Sequence, residues 1–392
     1  MGEEHMKSFE KIFFTKENLT SDTDSSLKAP CVFGREAADS DFYSAEKRKW
    51  QSAPCICKTS DGSLYCTFSG DNFGGDEAPN NYNIIMKSTD GGNAWETVNI
   101  IDHMDSVRMH EPILWTDNDG TLWHFWAQSY NWWDGRGGVW AMKLEDADRM
   151  TWSEPKRLCH GVMACPPVTL SGGEIALPVS IWKRYKGIHH LPEYENSGVY
   201  ISTDNGKSFT YAGGANAPES DFDENTLVER ADGSLFMTIR CSHSIDFSVS
   251  YDKGKTWSKA EKLMDHTSSR SYLAKLPGGN FVLVTNDDAE KRSRMTAFLS
   301  TDDCKTFDKK LLLFEKSNVS YPAGCVDKDG RIYVAYDFNR YIDEEIYFAS
   351  ITEADIAAGE ITDKGSFTSK LISKGGSGRY TDKVYETGEN NQ

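Results

Sequence analysis

One turn is written into this chain four times. It runs Ser88-Thr-Asp90-Gly-Gly92-Asn-Ala-Trp95, then Ser202-Thr-Asp204-Asn-Gly206-Lys-Ser-Phe209, Ser250-Tyr-Asp252-Lys-Gly254-Lys-Thr-Trp257 and Ser300-Thr-Asp302-Asp-Cys-Lys-Thr-Phe307. Asp and Ser side chains bond nearby backbone N–H groups, Gly supplies positive φ, and the aromatic residue packs back onto the strands that the turn joins. A weaker copy, Asp146-Ala-Asp148-Arg-Met-Thr-Trp152, sits between the first two, so the aspartates at 90, 148, 204, 252 and 302 fall 58, 56, 48 and 50 residues apart. That step suits one four-stranded blade.

A second repeat gives the number of blades. Each unit has a turn leading into an apolar strand: Asp61-Gly-Ser-Leu-Tyr, Asp119-Gly-Thr-Leu-Trp, Gly172-Gly-Glu-Ile-Ala, Asp232-Gly-Ser-Leu-Phe, Gly278-Gly-Asn-Phe-Val and Asp329-Gly-Arg-Ile-Tyr. Six such turns predict an all-β, six-bladed β-propeller of four-stranded antiparallel blades. Gly, Asp and aromatics recur too densely for long helical periods, and only Thr352 to Gly359 reads as a short helix. Closed β architectures run long as single units, and no Pro/Ser-rich linker divides the 392 residues. Residues 1–45 read as an N-terminal arm that supplies a strand to close the ring, 46–376 as the propeller and 377–392 as a C-terminal tail.

With 43 Lys and Arg against 60 Asp and Glu, the net charge of −17 excludes a nucleic-acid partner, which would need a basic stripe. There is no apolar run of 18 residues, which argues against a membrane partner, and Met1-Gly-Glu-Glu-His-Met-Lys7 lacks a signal core. The sequence as given is expected in the cytoplasm, with a secreted or periplasmic location following instead if a leader once preceded His5-Met6. Nine cysteines are scattered, and Cys55 and Cys57, on one side of a strand, have no second pair or nearby His to complete a metal set. Reduced buried thiols are expected, and neither a metal nor an organic cofactor.

In a propeller the Ser-x-Asp turns lie on the outer, lower side, and ligands approach the other face, where the inner strands begin. Function is therefore sought just before the six Asp-Gly-type turns, at Gln51-Ser-Ala-Pro54, His110-Glu111-Pro112, Ala164-Cys-Pro-Pro167, Asp223-Glu224-Asn225, Ser269-Arg270-Ser271 and Ser320-Tyr321-Pro322. Arg240, Asn286, Asp337 and Arg340 on the following strands join them.

Over roughly residues 48 to 350 the chain resembles the sialidase superfamily, in particular its bacterial Asp-box group. Glu224-Asn-Thr-Leu-Val-Glu-Arg-Ala-Asp-Gly-Ser-Leu-Phe-Met-Thr-Ile-Arg240 is similar to the sialidase Glu and second-Arg segment. Arg292-Ser-Arg294-Met-Thr-Ala-Phe-Leu-Ser300 resembles the third Arg leading into an Asp-box, and Ser320-Tyr321-Pro-Ala-Gly-Cys-Val-Asp-Lys-Asp329-Gly resembles the segment bearing the nucleophilic Tyr. The resemblance implies a sialidase-like glycoside hydrolase acting on a terminal acidic sugar, a sialic acid or a related ulosonic or uronic acid. A sialoside carries a carboxylate on its anomeric carbon, so an anionic nucleophile would be repelled where a neutral phenol is not, and sialidases use Tyr in place of the usual carboxylate. Free Tyr has a pKa of about 10, so a base within hydrogen-bond reach is required, which the resemblance assigns to Glu224 acting on Tyr321. Arg240 and Arg292, with Arg294 as substitute, would hold the substrate carboxylate through paired N–H bonds. The general acid of sialidases is an Asp on a first-blade loop. Here the Gly-flanked segment Gly70-Asp71-Asn-Phe-Gly-Gly75-Asp76-Glu77 suits a mobile lid, with Asp76 preferred and Asp71 and Glu77 next.

One element of the pattern is missing. Sialidases open the first blade with an aromatic-Arg-Ile-Pro segment whose Arg completes the clamp, whereas this chain has Gln51-Ser52-Ala53-Pro54. Losing a charge-assisted partner costs about 1.5–3 kcal/mol per bond if nothing replaces it, which makes other acidic sugars plausible. Arg35, Lys47, Arg48 and Lys49 of the arm, or Arg108 of the second blade, are candidates to refill the place, and Gln51 itself is a candidate for substrate contact.

Each residue also has a plainer reading. Tyr321 can cap an inner strand, Glu224 can belong to a solvated acidic loop, and Arg240, ending an apolar run, needs a carboxylate partner that can be protein or substrate. Arg292 and Arg294 lie in a charge run, and by strand alternation one of the two belongs to the turn. His110 and Glu111 read as an acid/base pair or a strand opening, retained as substrate contacts, and Arg340 as facing the pocket. Trp123 and Trp140 read as core, Trp132-Trp133 as a sugar platform. Two rival functions stand beside hydrolysis: a polysaccharide lyase acting on a uronate with His110 or His243 as base, and a non-catalytic carbohydrate-binding propeller.

Overall fold

The computed structural model describes residues 24–73, 77–105, 107–129, 135–181, 191, 194 and 196–376. Six antiparallel sheets follow one another along the chain. Their innermost strands are Trp50–Lys58, Arg108–Thr116, Val168–Thr169, Ser220–Glu229, Tyr272–Lys275 and Val319–Val326, here called blades 1 to 6. Each blade is built from strands consecutive in sequence, as a repeat of tight turns dictates. The innermost strand of blade 1 packs against those of both blade 2 and blade 6, which closes the ring and gives the expected six-bladed propeller.

The turns work as local chemistry requires. In blade 1 the Ser88 Oγ donates to Asp90 Oδ1 at 2.9 Å, and Asp90 Oδ1 accepts from the Ala94 N–H at 3.0 Å. The Ser–Asp bond recurs at 2.8 Å in Ser202–Asp204 and Ser250–Asp252 and at 2.9 Å in Ser300–Asp302. In all six turns of the second repeat the later glycine has φ between 81° and 92°, a region that side-chain-bearing residues avoid. The aromatic residue does not only pack on its own strands: Trp95 meets Phe348 of blade 6 edge-on at 5.7 Å. Likewise Gly206 of blade 3 abuts Trp123 of blade 2, so the turns weld each blade to the one before it.

The N-terminal arm behaves differently from expectation. Cys31–Phe33 pairs antiparallel with Glu96–Asp102, adding a fifth strand to the outside of blade 1 rather than closing the ring. Blade 6 completes itself, because its outer strand Phe367–Lys374 comes from its own end of the chain. The predicted helix forms over Glu353–Ala358, started by a Thr352–Asp355 capping box and ended by Gly359 at φ 75°. A one-turn helix at Arg35–Ala38 was not foreseen, being too short to show a period. Trp123 and Trp140 lie in the core between blades, with Trp123 stacked on Phe125 at 5.4 Å. Trp132 and Trp133 lie outside the described residues.

Candidate functional site

Four of the six inner strands carry a β-bulge near their start, between Ser52 and Cys55, His110 and Ile113, Ser220 and Asn225, and Ser320 and Ala323. At each bulge a non-glycine residue is left-handed: Ala53 (φ 54°), Glu111 (51°), Asp223 (53°) and Tyr321 (55°). Such backbone costs about 1–3 kcal/mol per residue and persists where surrounding structure enforces it. A bulge re-aims a side chain that regular alternation would send into the sheet. Pro54, Pro112 and Pro322 follow three of these residues, at places where the ladder is already interrupted and no N–H is needed.

The bulge of blade 6 carries Tyr321, whose ring lies among a set of guanidinium groups. The ring centroid of Tyr321 is 4.1 Å from the Cζ of Arg340, 4.5 Å from that of Arg270 and 5.0 Å from that of Arg292. Cations over a ring face are attracted by its quadrupole. Burial pushes the Tyr321 phenol up, but Arg292, Arg340 and Arg240 pull it further down, so its pKa lies below the ordinary value. Arg240 and Arg292 are bracketed by one residue. Arg240 Nε donates to Ser268 Oγ at 3.1 Å, and Arg292 donates to the Ser268 carbonyl through Nε at 3.2 Å and Nη2 at 2.9 Å.

Glu224 is buried and takes part in this cluster through cations. Its Oε2 accepts from Arg240 Nη1 at 2.8 Å and its Oε1 from Arg270 Nη2 at 3.3 Å. Burial alone would raise its carboxyl, and the two arginines outweigh it, lowering the pKa to about 2. Among the described residues, Glu224 is therefore bonded to the arginines and not to Tyr321, contrary to the expected Tyr–Glu hydrogen bond. A buried carboxylate is held more cheaply by two guanidinium groups than by a neutral phenol.

The loop after the second strand of blade 1 contributes one described carboxylate. Glu77 Oε2 accepts from Arg108 Nη2 at 3.1 Å, and its Oε1 lies 3.7 Å from Arg340 Nη1. Asp76 lies outside the described residues. Asp71 is fully buried and braces the loop base, accepting from the Phe73 N–H at 2.7 Å and from Asn81 Nδ2 at 3.4 Å. It is a loop anchor rather than the substrate contact expected. Arg340 is fixed by Ser320 Oγ and by Asp337, 3.5 Å away. Asp337 also accepts from Ser52 Oγ and the Ala53 N–H of blade 1, so it ties the two blades at the ring's seam.

Further sequence expectations fail for physical reasons. Gln51 is fully buried and occupied: it accepts from Arg48 Nη1 at 2.7 Å and Ser373 Oγ at 3.2 Å, and donates to the Glu344 carbonyl. It sews blade 1 to blade 6 and is buried away from any substrate. Arg294 sits at φ 55°, which swings it away to a surface ion pair with Asp287 at 3.4 Å. It belongs to the turn, leaving Arg292 beside the Tyr321 ring. Three of the arm's candidate cations are engaged elsewhere: Arg35 pairs with Glu96, Lys47 with Asp41, and Arg48 with Gln51. His110 is buried against Ser129 Oγ at 3.2 Å, and burial with Arg108 and Arg270 nearby holds it far below its usual pKa. Glu111 contacts Arg270, and its pKa is raised, by burial first.

Arg270 and Ser268 are the participants that motif reading did not assign. Arg270 stood in the sequence only as part of a strand opening, and nothing local distinguishes it from a solvated arginine.

Comparison with known proteins follows the same lines. A family model described as a BNR repeat-like domain matches residues 62–334. A sialidase from Paraclostridium sordellii is 25% identical over 275 residues, covering 62% of this chain, and the chain spans only 65% of that relative's length. Among solved structures, the Hadza microbial sialidase Hz136 superposes with a TM-score of 0.63 at 17% identity, covering 78% of this chain and 66% of that one. The leech intramolecular trans-sialidase, solved with 2,7-anhydro-Neu5Ac, gives 0.60 at 13% identity, covering 84% and 71%. At such identities these structures establish the shared fold.

Proposed function

We propose, for a chain that belongs to the BNR repeat-like family of the sialidase superfamily, that it is a glycoside hydrolase releasing a terminal acidic sugar with Tyr321 as nucleophile. The observation that carries this reading is the convergence of the Arg340, Arg270 and Arg292 guanidinium carbons within 5.0 Å of the Tyr321 ring centroid. Such a cluster does two things at once. It attracts a carboxylate, which arginine forks bind in paired geometry, and it favours the phenolate over the phenol.

In this reading Arg240, Arg292 and Arg340 receive the sugar carboxylate, and Arg340 stands where a first-blade arginine is lacking. The Tyr321 oxygen attacks the anomeric carbon as the bond to the leaving oxygen breaks, and that oxygen takes a proton from the Asp76-Glu77 loop. Water then hydrolyses the sugar–tyrosine bond, so the anomeric configuration is retained. Glu224 assists by holding Arg240 and Arg270 in place, and accepts the phenolic proton only if substrate binding releases it from them.

A panel of aryl glycosides tests the reading: a sialoside, a 3-deoxy-ulosonide, a uronide and a neutral hexoside. Release of the acidic sugar with retained configuration by NMR, abolished in Tyr321→Phe, is the expected result. An ultraviolet-absorbing unsaturated product would indicate a lyase, and binding that survives in Tyr321→Phe without turnover by the parent protein would indicate a sugar-binding propeller.

A further inference from the structure

Arg270 is 1% exposed, at the start of blade 5. Its Nη2 contacts Glu111 of blade 2 and lies 3.3 Å from Glu224 Oε1 of blade 4, and its Cζ is 4.5 Å from the Tyr321 ring centroid on blade 6. Blades 2 and 5 face one another in a ring of six, so the Arg270–Glu111 pair crosses the axis. One guanidinium thus touches groups from three other blades, under the face where Arg292 and Arg340 gather.

We propose that Arg270, clamped across the axis by Glu111, is a positioning residue that sets the place of the Glu224 carboxylate and the Tyr321 ring. The inference rests on the reading of Tyr321 as nucleophile and adds a residue outside the set that receives the sugar carboxylate. Glu111 is the device's fixed end. Its left-handed bulge aims it at the axis, and its oxygen holds the Nη2 that also reaches Glu224. Arg270 makes no bond through Nε, which is buried, so the carboxylates alone orient the guanidinium. The titratable groups around it include Glu111, Glu224, Cys165, Tyr321, His110 and Cys55, and the first two are shifted oppositely: Glu111 is raised and Glu224 lowered. Lys carries the same charge without the fork and cannot reproduce both contacts with one geometry.

The test compares wild type, Arg270→Gln, Arg270→Lys and Tyr321→Phe, each first shown to be folded by thermal melting and near-ultraviolet circular dichroism. One readout needs no turnover: the tyrosinate absorbance titration, with Tyr321 assigned by difference from Tyr321→Phe. Arg270→Gln is expected to move the Tyr321 titration upward, the direction of a lost cation beside a phenol, whereas Arg270→Lys leaves it close to wild type. The second readout is kinetic, on whichever acidic glycoside the protein turns over. Both variants are expected to lose about 100-fold or more in kcat, as mispositioned groups do, with KM within a few-fold of wild type.

A folded Arg270→Gln protein whose Tyr321 titration is unmoved overturns the proposal, and so does a raised KM with unchanged kcat, which would make Arg270 a substrate contact. If Arg270→Gln does not fold, Arg270→Lys decides: unchanged kcat overturns the proposal, and a lowered kcat with an unmoved titration supports it. If wild type turns over no acidic glycoside, the hydrolase reading fails, while the titration still decides the role of Arg270.

Discussion

Tyr321 combines two features that are seldom found together, a strained backbone and an electropositive surrounding. At φ 55° it is held where a bulky residue sits at a cost, and its ring is the meeting point of three guanidinium groups. Of these, Arg340 is the one whose loss should be read most directly in substrate affinity. Arg340→Ala is expected to raise KM for an acidic aryl glycoside roughly 10- to 150-fold, the equivalent of a charge-assisted bond worth about 1.5–3 kcal/mol. Arg340→Lys should recover part of this, and a neutral glycoside, if turned over, should be indifferent to both. Initial-rate kinetics decide, and equal effects on acidic and neutral substrates would remove Arg340 from carboxylate binding. At this scale the sequence singled out Tyr321, Glu224, Arg240 and Arg292, and the structure links them through side-chain contacts: Arg292 over the Tyr321 ring, Arg240 on Glu224, and both arginines on Ser268. The sequence did not foresee the Glu224–Arg270 bond, because a pairing across blades leaves no trace in local spacing, whereas the Glu224–Arg240 bond lies within blade 4.

The recurring turn is the unit of construction, and its glycines differ in what they do. Gly91 and Gly92 both have positive φ, at 73° and 82°. A methyl group at Gly92 would stand 2.2 Å from Phe348 Cζ, whereas one at Gly91 meets nothing within 4 Å. Gly91→Ala is therefore expected to cost about 1–2 kcal/mol of left-handed strain alone, and Gly92→Ala distinctly more, because it also presses the first blade's turn against the last blade. Urea denaturation separates the two, and equal midpoints would mean that the blade 1–blade 6 seam yields freely. These turns were fully legible beforehand, since each satisfies its own hydrogen bonds within four residues. The extra outer strand of blade 1 was not, for Cys31–Phe33 acquires its meaning only from the edge it finds at Glu96–Asp102.

For the whole molecule, buried titratable groups set the response to acid. His124, buried beside Trp126, is held down to about 3 by burial. His266, bonded to Thr285, is also held near 3, by burial and then by Arg240 and Arg292. Their unfolded value is about 6.5, so between those limits the unfolded chain binds more protons. The stabilisation from keeping both neutral is complete above about pH 6.5 and is lost as pH falls towards 3. Glu224 adds a second window: lowered to about 2 from about 4.3 when unfolded, it contributes stability above about 4.3 that disappears as pH falls through 2. Melting temperature is thus expected to decline from near pH 6.5 downwards, with a shallower decline in His124→Gln, and a pH-independent melting temperature between 7 and 4 would contradict the assignment.

What the sequence determined unaided was everything carried by short-range chemistry: the turn, its repetition, the count of six and the capped helix at Glu353–Ala358. These depend on residues within a few positions of one another, whose hydrogen bonds and left-handed glycines form in the same way in every copy. What only the tertiary structure decided was which side chains meet at the axis. Arg270 and Glu111 are 159 positions apart, and Gln51 and Ser373 are 322 apart. Such meetings follow from closing the ring, which brings opposite blades within reach and spends Gln51 on the seam. No local pattern records the angle at which six sheets come together.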